Sequence, residues 1–363
     1  MQKRYPYGME IFWLVLCFLL AESLIALIRF SLRKKEIAIW LRALLGIAEC
    51  LFATAMAFLI MAGPSELGWV DPLLMGFYVA LFIDGLAQLP IIVASYIHKN
   101  GKRWLTFSAI SCLCGAAFLT FGIVNSQIVT EVDITFASAK LHHEYKLAFA
   151  SDFHLGKSQP LDVSLHTLDM IKAAQPDYFI LGGDVFDEFT KESDMNAFCS
   201  RLGEFACPVY FIYGNHEPAA AVPPAAFEKA LTDNGVNILL DEFVPLASDL
   251  TLLGRADLVM PGRADGSSLV NPYPDAYLVV ADHQPFEFHD GKIAGLDLQL
   301  SGHTHAGQLL PMNWVYSFGV EVHGEYRMGD SSLYISSGAG NWAAPLRTET
   351  GCHFELITLR PAP

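Results

Sequence analysis

The stretch Tyr145-Lys146-Leu147-Ala148-Phe149-Ala150-Ser151-Asp152-Phe153-His154 reads as a short buried strand that runs out onto a carboxylate and an imidazole. Apolar runs of this length, bounded by polar residues, are what strands buried on both faces look like. The unit returns down the chain. Tyr178–Leu181 leads to Gly183-Asp184-Val185-Phe186-Asp187, and Val209–Tyr213 leads to Gly214-Asn215-His216-Glu217. Tyr277–Ala281 leads to His283-Gln284-Pro285, and Leu298–Leu300 to Gly302-His303-Thr304-His305. Between them, Leu165, Leu168 and Ile171 repeat at helical spacing within Asp162–Ala174, and Asn196–Phe205 reads as a further helix. Every polar motif thus falls just past the carboxyl end of a buried strand, where open α/β sheets place their sites. Strands near Ser332–Ser336 and Phe354–Leu359 suggest a second sheet.

Upstream the chain changes character. It has 363 residues, of which 53% are hydrophobic, too apolar for a purely water-exposed enzyme. The excess lies in four stretches, Met9–Phe30, Ile37–Met61, Pro72–Ile97 and Trp104–Ser126, each long enough to cross a hydrocarbon layer about 30 Å thick. No small-residue cleavage pattern follows the first, so it is read as retained rather than as a signal peptide. The expected organisation is a four-span transmembrane bundle over residues 1–130 and a catalytic domain over 131–363, with the junction near 127–135. Arg33, Lys34 and Lys35 in the first loop and Lys99, Lys102 and Arg103 in the third contrast with the second loop, 63–71, which has no Lys or Arg. The positive-inside rule puts those basic loops in the cytoplasm and the catalytic domain outside it; Lys3 and Arg4 argue the other way. Glu22, Glu49 and Asp84 fall near mid-depth, where a carboxylate faces a bundle interior or a polar cavity. Gln88 is a candidate partner and Pro90 a candidate kink.

Charge divides the chain as hydropathy does. Residues 128–363 hold 13 Lys plus Arg against 31 Asp plus Glu, a formal charge of −18, which makes nucleic acid an unfavourable partner. Four of the seven cysteines lie in the apolar stretches. Cys199, Cys207 and Cys352 remain, without zinc-type spacing, and a Cys199–Cys207 bridge is conceivable outside the cell.

The five motifs supply carboxylate, amide oxygen and imidazole in the numbers a pair of divalent ions needs. A lone Asp or His after a strand is ordinarily a cap or a surface residue. Seven ligand-type residues in this order point instead to a hydrolase with a two-metal centre. The order resembles the calcineurin-like metallophosphoesterase superfamily over residues 145–360. Asp282-His283-Gln284-Pro285-Phe286, Leu300–Gln308 and Ile335–Gly340, followed by Pro345 and Arg347, look like its branch with transmembrane N-termini. That branch is similar in its phosphoesterase domain to lipid-linked pyrophosphate hydrolases.

The resemblance implies a sandwich of two mixed sheets flanked by helices. It also implies that Asp152, His154 and His305 bind one ion, that Asn215, His283 and His303 bind a second, and that Asp184 bridges them. Mn²⁺, Zn²⁺, Mg²⁺ and Fe²⁺ all suit such ligands. Purple iron–zinc phosphatases carry a tyrosinate where this chain has Asp187, so a ferric site is not expected. His216 would stabilise the developing oxyanion or protonate the leaving group, and Asp187 and Glu217 would orient ligand imidazoles. Arg255 with Asp257 would contact a phosphate or form a loop ion pair, and Arg347 has similar standing. His142 and His143 read as surface residues; His289 and His323 take no role. The expected function is hydrolysis of a phosphodiester or pyrophosphate bond, with a lipid-linked substrate and membrane lipid among the candidate partners. The alternatives are a membrane transporter or sensor with a regulatory phosphoesterase-like domain, and a catalytically dead scaffold.

Overall fold

The structure, a computed structural model, describes residues 14–25, 39–62, 75–87, 104–156 and 158–363. Helical segments come first: α1 (14–25), α2 (Ile39–Ala62), α3 (75–87) and α4 (Trp104–Asn125). Phe18, Ala21, Ala53, Ala57, Tyr78 and Val79 pack together as one cluster, whereas Leu19, Leu20, Ile47, Leu51, Phe52 and Leu113 are exposed. Apolar residues therefore occupy both the inner and the outer faces of these helices. Among the described residues no helix is long and apolar enough to cross a membrane. The four crossings expected from sequence are therefore not shown by the described residues. Gln88, Pro90 and the basic residues of both loops lie outside the described residues. Glu22 and Asp84 are buried, and the Ser111 hydroxyl donates to Asp84 at 3.1 Å.

After α4 the chain alternates as its apolar runs predict. It forms β1 (Val129–Ser138), β2 (Tyr145–Ala150), α5 (Leu161–Ala173), β3 (Tyr178–Leu181), α6 (Glu192–Leu202), β4 (Val209–Phe211), α7 (Pro224–Asp233) and β5 (Val236–Ile238). Then come β6 (Glu242–Ala247), β7 (Leu250–Gly254), β8 (Tyr277–Ala281), β9 (Leu296–Ser301), α8 (Met312–Tyr316), β10 (Gly324–Met328), β11 (Ser331–Ile335) and β12 (Cys352–Pro361). Helix α6 starts four residues before the expected Asn196. Glu192 and Asp194 sit in its first turn, where carboxylates favour the helix dipole, and Met195, Phe198, Cys199 and Leu202 share its buried face. Cys199 and Cys207 are both free; the conceivable bridge is not formed, and Cys199 belongs to the core beside Phe198.

Two six-stranded mixed sheets result, in the orders β1-β12-β2-β3-β4-β5 and β10-β11-β9-β8-β7-β6. Within them β2, β3, β4 and β5 run parallel, as do β7, β8, β9 and β11. The sheets face one another through Phe149, Ile180, Ile212 and Ile357 from the first and Leu252, Val279, Leu298 and Leu300 from the second. The other face of the first sheet, with Ala148, Phe179, Leu181 and Phe211, packs on Leu168, Ile171, Phe198 and Phe227 of α5, α6 and α7. Adjacent residues of each strand thus enter opposite cores, which explains why the runs read as continuously apolar. The two-sheet sandwich matches the expected α/β fold, but the second sheet is not the tail alone: β7, β8 and β9 belong to it with β11, while β12 crosses into the first sheet between β1 and β2.

Candidate metal centre

Five of the parallel strands deliver the motifs at their carboxyl ends: Asp152 and His154 after β2, Asp184 after β3, Asn215 after β4, His283 after β8, and His303 and His305 after β9. The loops bend sharply to do this. Asp152, His154, Asp184, His303 and His305 all have positive φ, between 44° and 72°. This left-handed region costs a non-glycine residue about 1–3 kcal/mol and collects at functional sites. Backbone bonds hold the turn: Asp152 N donates to Gly183 O at 2.9 Å, His154 N to Asp184 O at 3.0 Å and Leu155 N to Val185 O at 3.1 Å. Two glycines make room for the carboxylates. A Cβ on Gly214 would lie 2.2 Å from Asp184 Oδ1, and one on Gly302 would lie 2.3 Å from Asp152 Oδ2.

The side chains converge in two groups. Asp152, His154 and His305 form one and Asp184, His283 and His303 the other, each with its ligand atoms within 4.8 Å of one another. His154 Nε2 is 3.2 Å from His305 Nε2, and Asn215 Oδ1 is 2.7 Å from His303 Nδ1, so Asn215 belongs with the second group. Asp184 Oδ2 lies 3.0 Å from His283 Nε2 and 3.8 Å from His154 Nε2, within reach of both. All seven ligand residues expected from sequence come together here. The donor set fits hard or borderline divalent ions, and one detail tests that fit. His283 Nδ1 donates to Gly182 O at 2.8 Å, which leaves a buried Nε2 with no hydrogen-bond partner facing the Asp184 carboxylate. Nε2 and the Asp184 carboxylate face one another at 3.0 Å, a pair that a proton or a bound cation would join.

Electrostatics agree. Burial opposes charge on His283, yet Asp184 beside it raises the imidazole well above its ordinary range: the spot favours positive charge. Burial and then His283 push His303 down to about 3, and burial and then His154 push His305 well below its usual value. Both are therefore neutral imidazoles, the ligand form. His216 differs. Burial works against its charge, but Asp184, Glu188 and Asp187 outweigh it and push it up to about 9. Its backbone N–H donates to Asp184 Oδ1 at 2.9 Å, and its Nδ1 lies 3.2 Å from both Glu188 oxygens.

Residues 145–307 match the calcineurin-like phosphoesterase family. The chain carries a calcineurin-like phosphoesterase domain. An uncharacterised metallophosphoesterase of Campylobacter jejuni is 27% identical over 85% of this chain and 87% of its own. One from Helicobacter pylori is 29% identical over 61% of each chain. A Bos taurus protein named transmembrane protein with metallophosphoesterase domain is 24% identical over 88% of this chain and 80% of its own.

Other residues of the phosphoesterase domain take places that sequence did not foretell. Asp187 Oδ2 sits 3.4 Å from His154 Nδ1, beside the imidazole but without a hydrogen bond to it. Glu217 does not touch an imidazole: its buried carboxylate accepts the N–H groups of Asp184, Val185, Phe186 and Gly214 at 2.7–3.1 Å. It ties the loop after β3 to the loop after β4, because four inward-facing amides need an acceptor that water cannot provide. Arg255 is fully buried and pairs with Asp241, while Asp257 accepts from Gln284 at 2.9 Å. The Arg255–Asp257 ion pair read from sequence is replaced by these two contacts. Arg347 is buried too, donating to Ser337 O at 2.5 Å and to His305 O at 3.3 Å. Trp342, absent from the sequence reading, lies with its ring tilted 4.1 Å from the His216 ring and 5.1 Å from the His154 ring. Its backbone is fastened to Gln308, which donates to Trp342 O at 2.8 Å and accepts from Trp342 N at 2.9 Å. No signal short of its place beside Ile335–Gly340 marks it.

The N-terminal helices reach this wall of the site. Tyr78 Oη donates to Leu310 O at 2.5 Å and lies 3.1 Å from Thr348 Oγ1, which accepts from Leu310 N at 2.9 Å. Arg347 N donates to Gly122 O at 2.9 Å, and Trp342 and Leu346 pack in the cluster of Phe18 and Tyr78.

Proposed function

We propose that the protein is an integral-membrane phosphoesterase with a dinuclear metal centre that hydrolyses phosphodiester or pyrophosphate bonds, including those of lipid-linked substrates. The observation that carries the metal reading is the position of Asp184 Oδ2, within reach of one imidazole of each ligand group. A carboxylate so placed can hold two cations against their repulsion. Bound divalent ions would polarise phosphoryl oxygens and activate water. The chain's own residues do the rest. Gly182 O holds His283 in the orientation a ligand needs, Glu217 fixes the backbone beneath, and His216, kept as imidazolium, stabilises developing charge or gives its proton to the departing alkoxide. Trp342 shields one side of that imidazolium from water.

Membrane integration, with residues 1–130 in the bilayer and 131–363 outside the cytoplasm, is supported by the exposed apolar faces of α1, α2 and α4, which water would disfavour, and by the bovine relative's name. Buried Glu22 and Asp84 favour the transporter or sensor as a second reading. Purified full-length protein with Mn²⁺ and bis(p-nitrophenyl) phosphate tests the first. Asp184→Asn should reduce hydrolysis by more than the about 10–100-fold that loss of an outer partner costs; unchanged turnover would reject the metal assignment. Neutralising Glu49 and Asp84 together should leave hydrolysis intact, and a change in ion flux without one in hydrolysis would favour the second reading.

A further inference from the structure

We infer that a groove beside the second ligand group binds the hydrocarbon chain of the phosphoester substrate. This rests on the hydrolytic reading of the metal centre. The groove, about 460 Å³, is lined by Pro285, Phe286, Phe318, Val320 and Tyr326. It lies next to the second ligand group, since the Phe286 ring in its wall meets the ligand imidazole of His303 edge-on at 5.5 Å. Its apolar lining is unusually open to solvent: Phe286 is 47% exposed, Phe318 74% and Val320 41%. Large apolar side chains gathered at one place and left in water mark a binding surface. Polar lining is spent internally, with His289 Nε2 held 2.8 Å from Glu321, and no Lys or Arg lines the groove. A phosphate has nothing to bind there; a chain of methylenes does.

The occupant follows from where the groove leads. Trp314 stacks edge-on against Phe318 at 4.8 Å and is itself 63% exposed. It belongs to α8, which contacts α2, and its neighbours Val315 and Tyr316 pack on the cluster of Phe18 and Tyr78. Helix α8 therefore joins the N-terminal helices to the groove: its inner side packs on their buried cluster, and Trp314 stands exposed beside Phe318, at the groove's edge. Exposed Trp and Phe at such an edge suit a lipid–water boundary. A lipid whose headgroup phosphate reached the metal ligands would lay its tail along the groove.

Two diesters of the same chemistry read the groove: ethyl p-nitrophenyl phosphate and hexadecyl p-nitrophenyl phosphate, assayed with Mn²⁺ on full-length protein in one detergent. Wild type should favour the hexadecyl ester in kcat/KM by about 10-fold or more, and the double variant Phe318→Ser, Val320→Ser should lose most of that preference. Both side chains are on the surface, so the fold is not at stake. Val270→Ser, at a still more exposed apolar residue outside the groove, should keep the wild-type ratio. A wild type that cleaves both esters equally well, or a double variant with the wild-type ratio, overturns the groove and leaves the phosphoesterase standing. If wild type cleaves neither ester, the hydrolytic reading fails and the groove falls with it.

Discussion

His216 sits at the meeting point of the site's charges. Three carboxylates hold it as imidazolium up to about pH 9, so its proton is present at neutral pH and is lost as pH rises through that value. A rate that depends on this proton should show an alkaline limb in kcat/KM, drawn somewhat below pH 9 by the charge of bound cations. His216→Asn should remove the limb and lower the rate by about 10²–10⁴-fold; a limb that survives the substitution belongs to another group. Glu217 is a second test at this scale. Replaced by Ala, it would leave four buried N–H groups without an acceptor, a loss of at least about 3 kcal/mol, visible as a lowered midpoint in urea unfolding. Why Glu217 was misread is instructive. Sequence shows that a carboxylate stands beside His216, but whether it meets an imidazole or a row of amides depends on a loop that only folding defines. The buried Arg255 and Arg347 make the same point, since an arginine's burial leaves no trace in its neighbours. The positive φ at five ligands is equally silent, as Asp and His advertise it far less than glycine does.

Elements were more legible. Strands β2, β3 and β8 occupy the residues their apolar runs indicate, because strands buried on both faces leave no other pattern. Strand β1 was overlooked: Val129-Thr130-Glu131-Val132-Asp133 mixes charge into every second position, and the strand lies at a sheet edge with one side wet. It occupies the stretch read as a junction. At the same scale, the contact between α3 and the site carries a prediction. Tyr78→Phe removes one hydroxyl that joins the loop after β9 to the segment before β12. The lost bonds amount to about 1–1.5 kcal/mol, too little to unfold the domain. Slack at His305 and Trp342 should nonetheless lower kcat and weaken Mn²⁺ binding, both measurable by titrating activity against Mn²⁺. Unchanged values would mean that the helices hold the domain without shaping its site.

For the whole molecule, metal and stability are linked. Five strained ligands and two buried carboxylates lie in one place, so the fold should gain from each ion that neutralises them. At free Mn²⁺ 100-fold above its dissociation constant, each site adds about 2.7 kcal/mol; chelation with EDTA should lower the melting temperature, and Asp184→Asn should blunt that response. The order of the first sheet has a further consequence, for synthesis. Strand β12 lies between β1 and β2, pairing parallel with one and antiparallel with the other. The first strands made are therefore not neighbours, and the seat between them stays vacant until residues 352–361 leave the ribosome. At about 5–20 residues per second, that wait is on the order of ten to forty seconds, during which both strands offer open edges. A nascent chain would spend that interval as a half-built sheet, exposed to chaperones and proteases until β12 arrives.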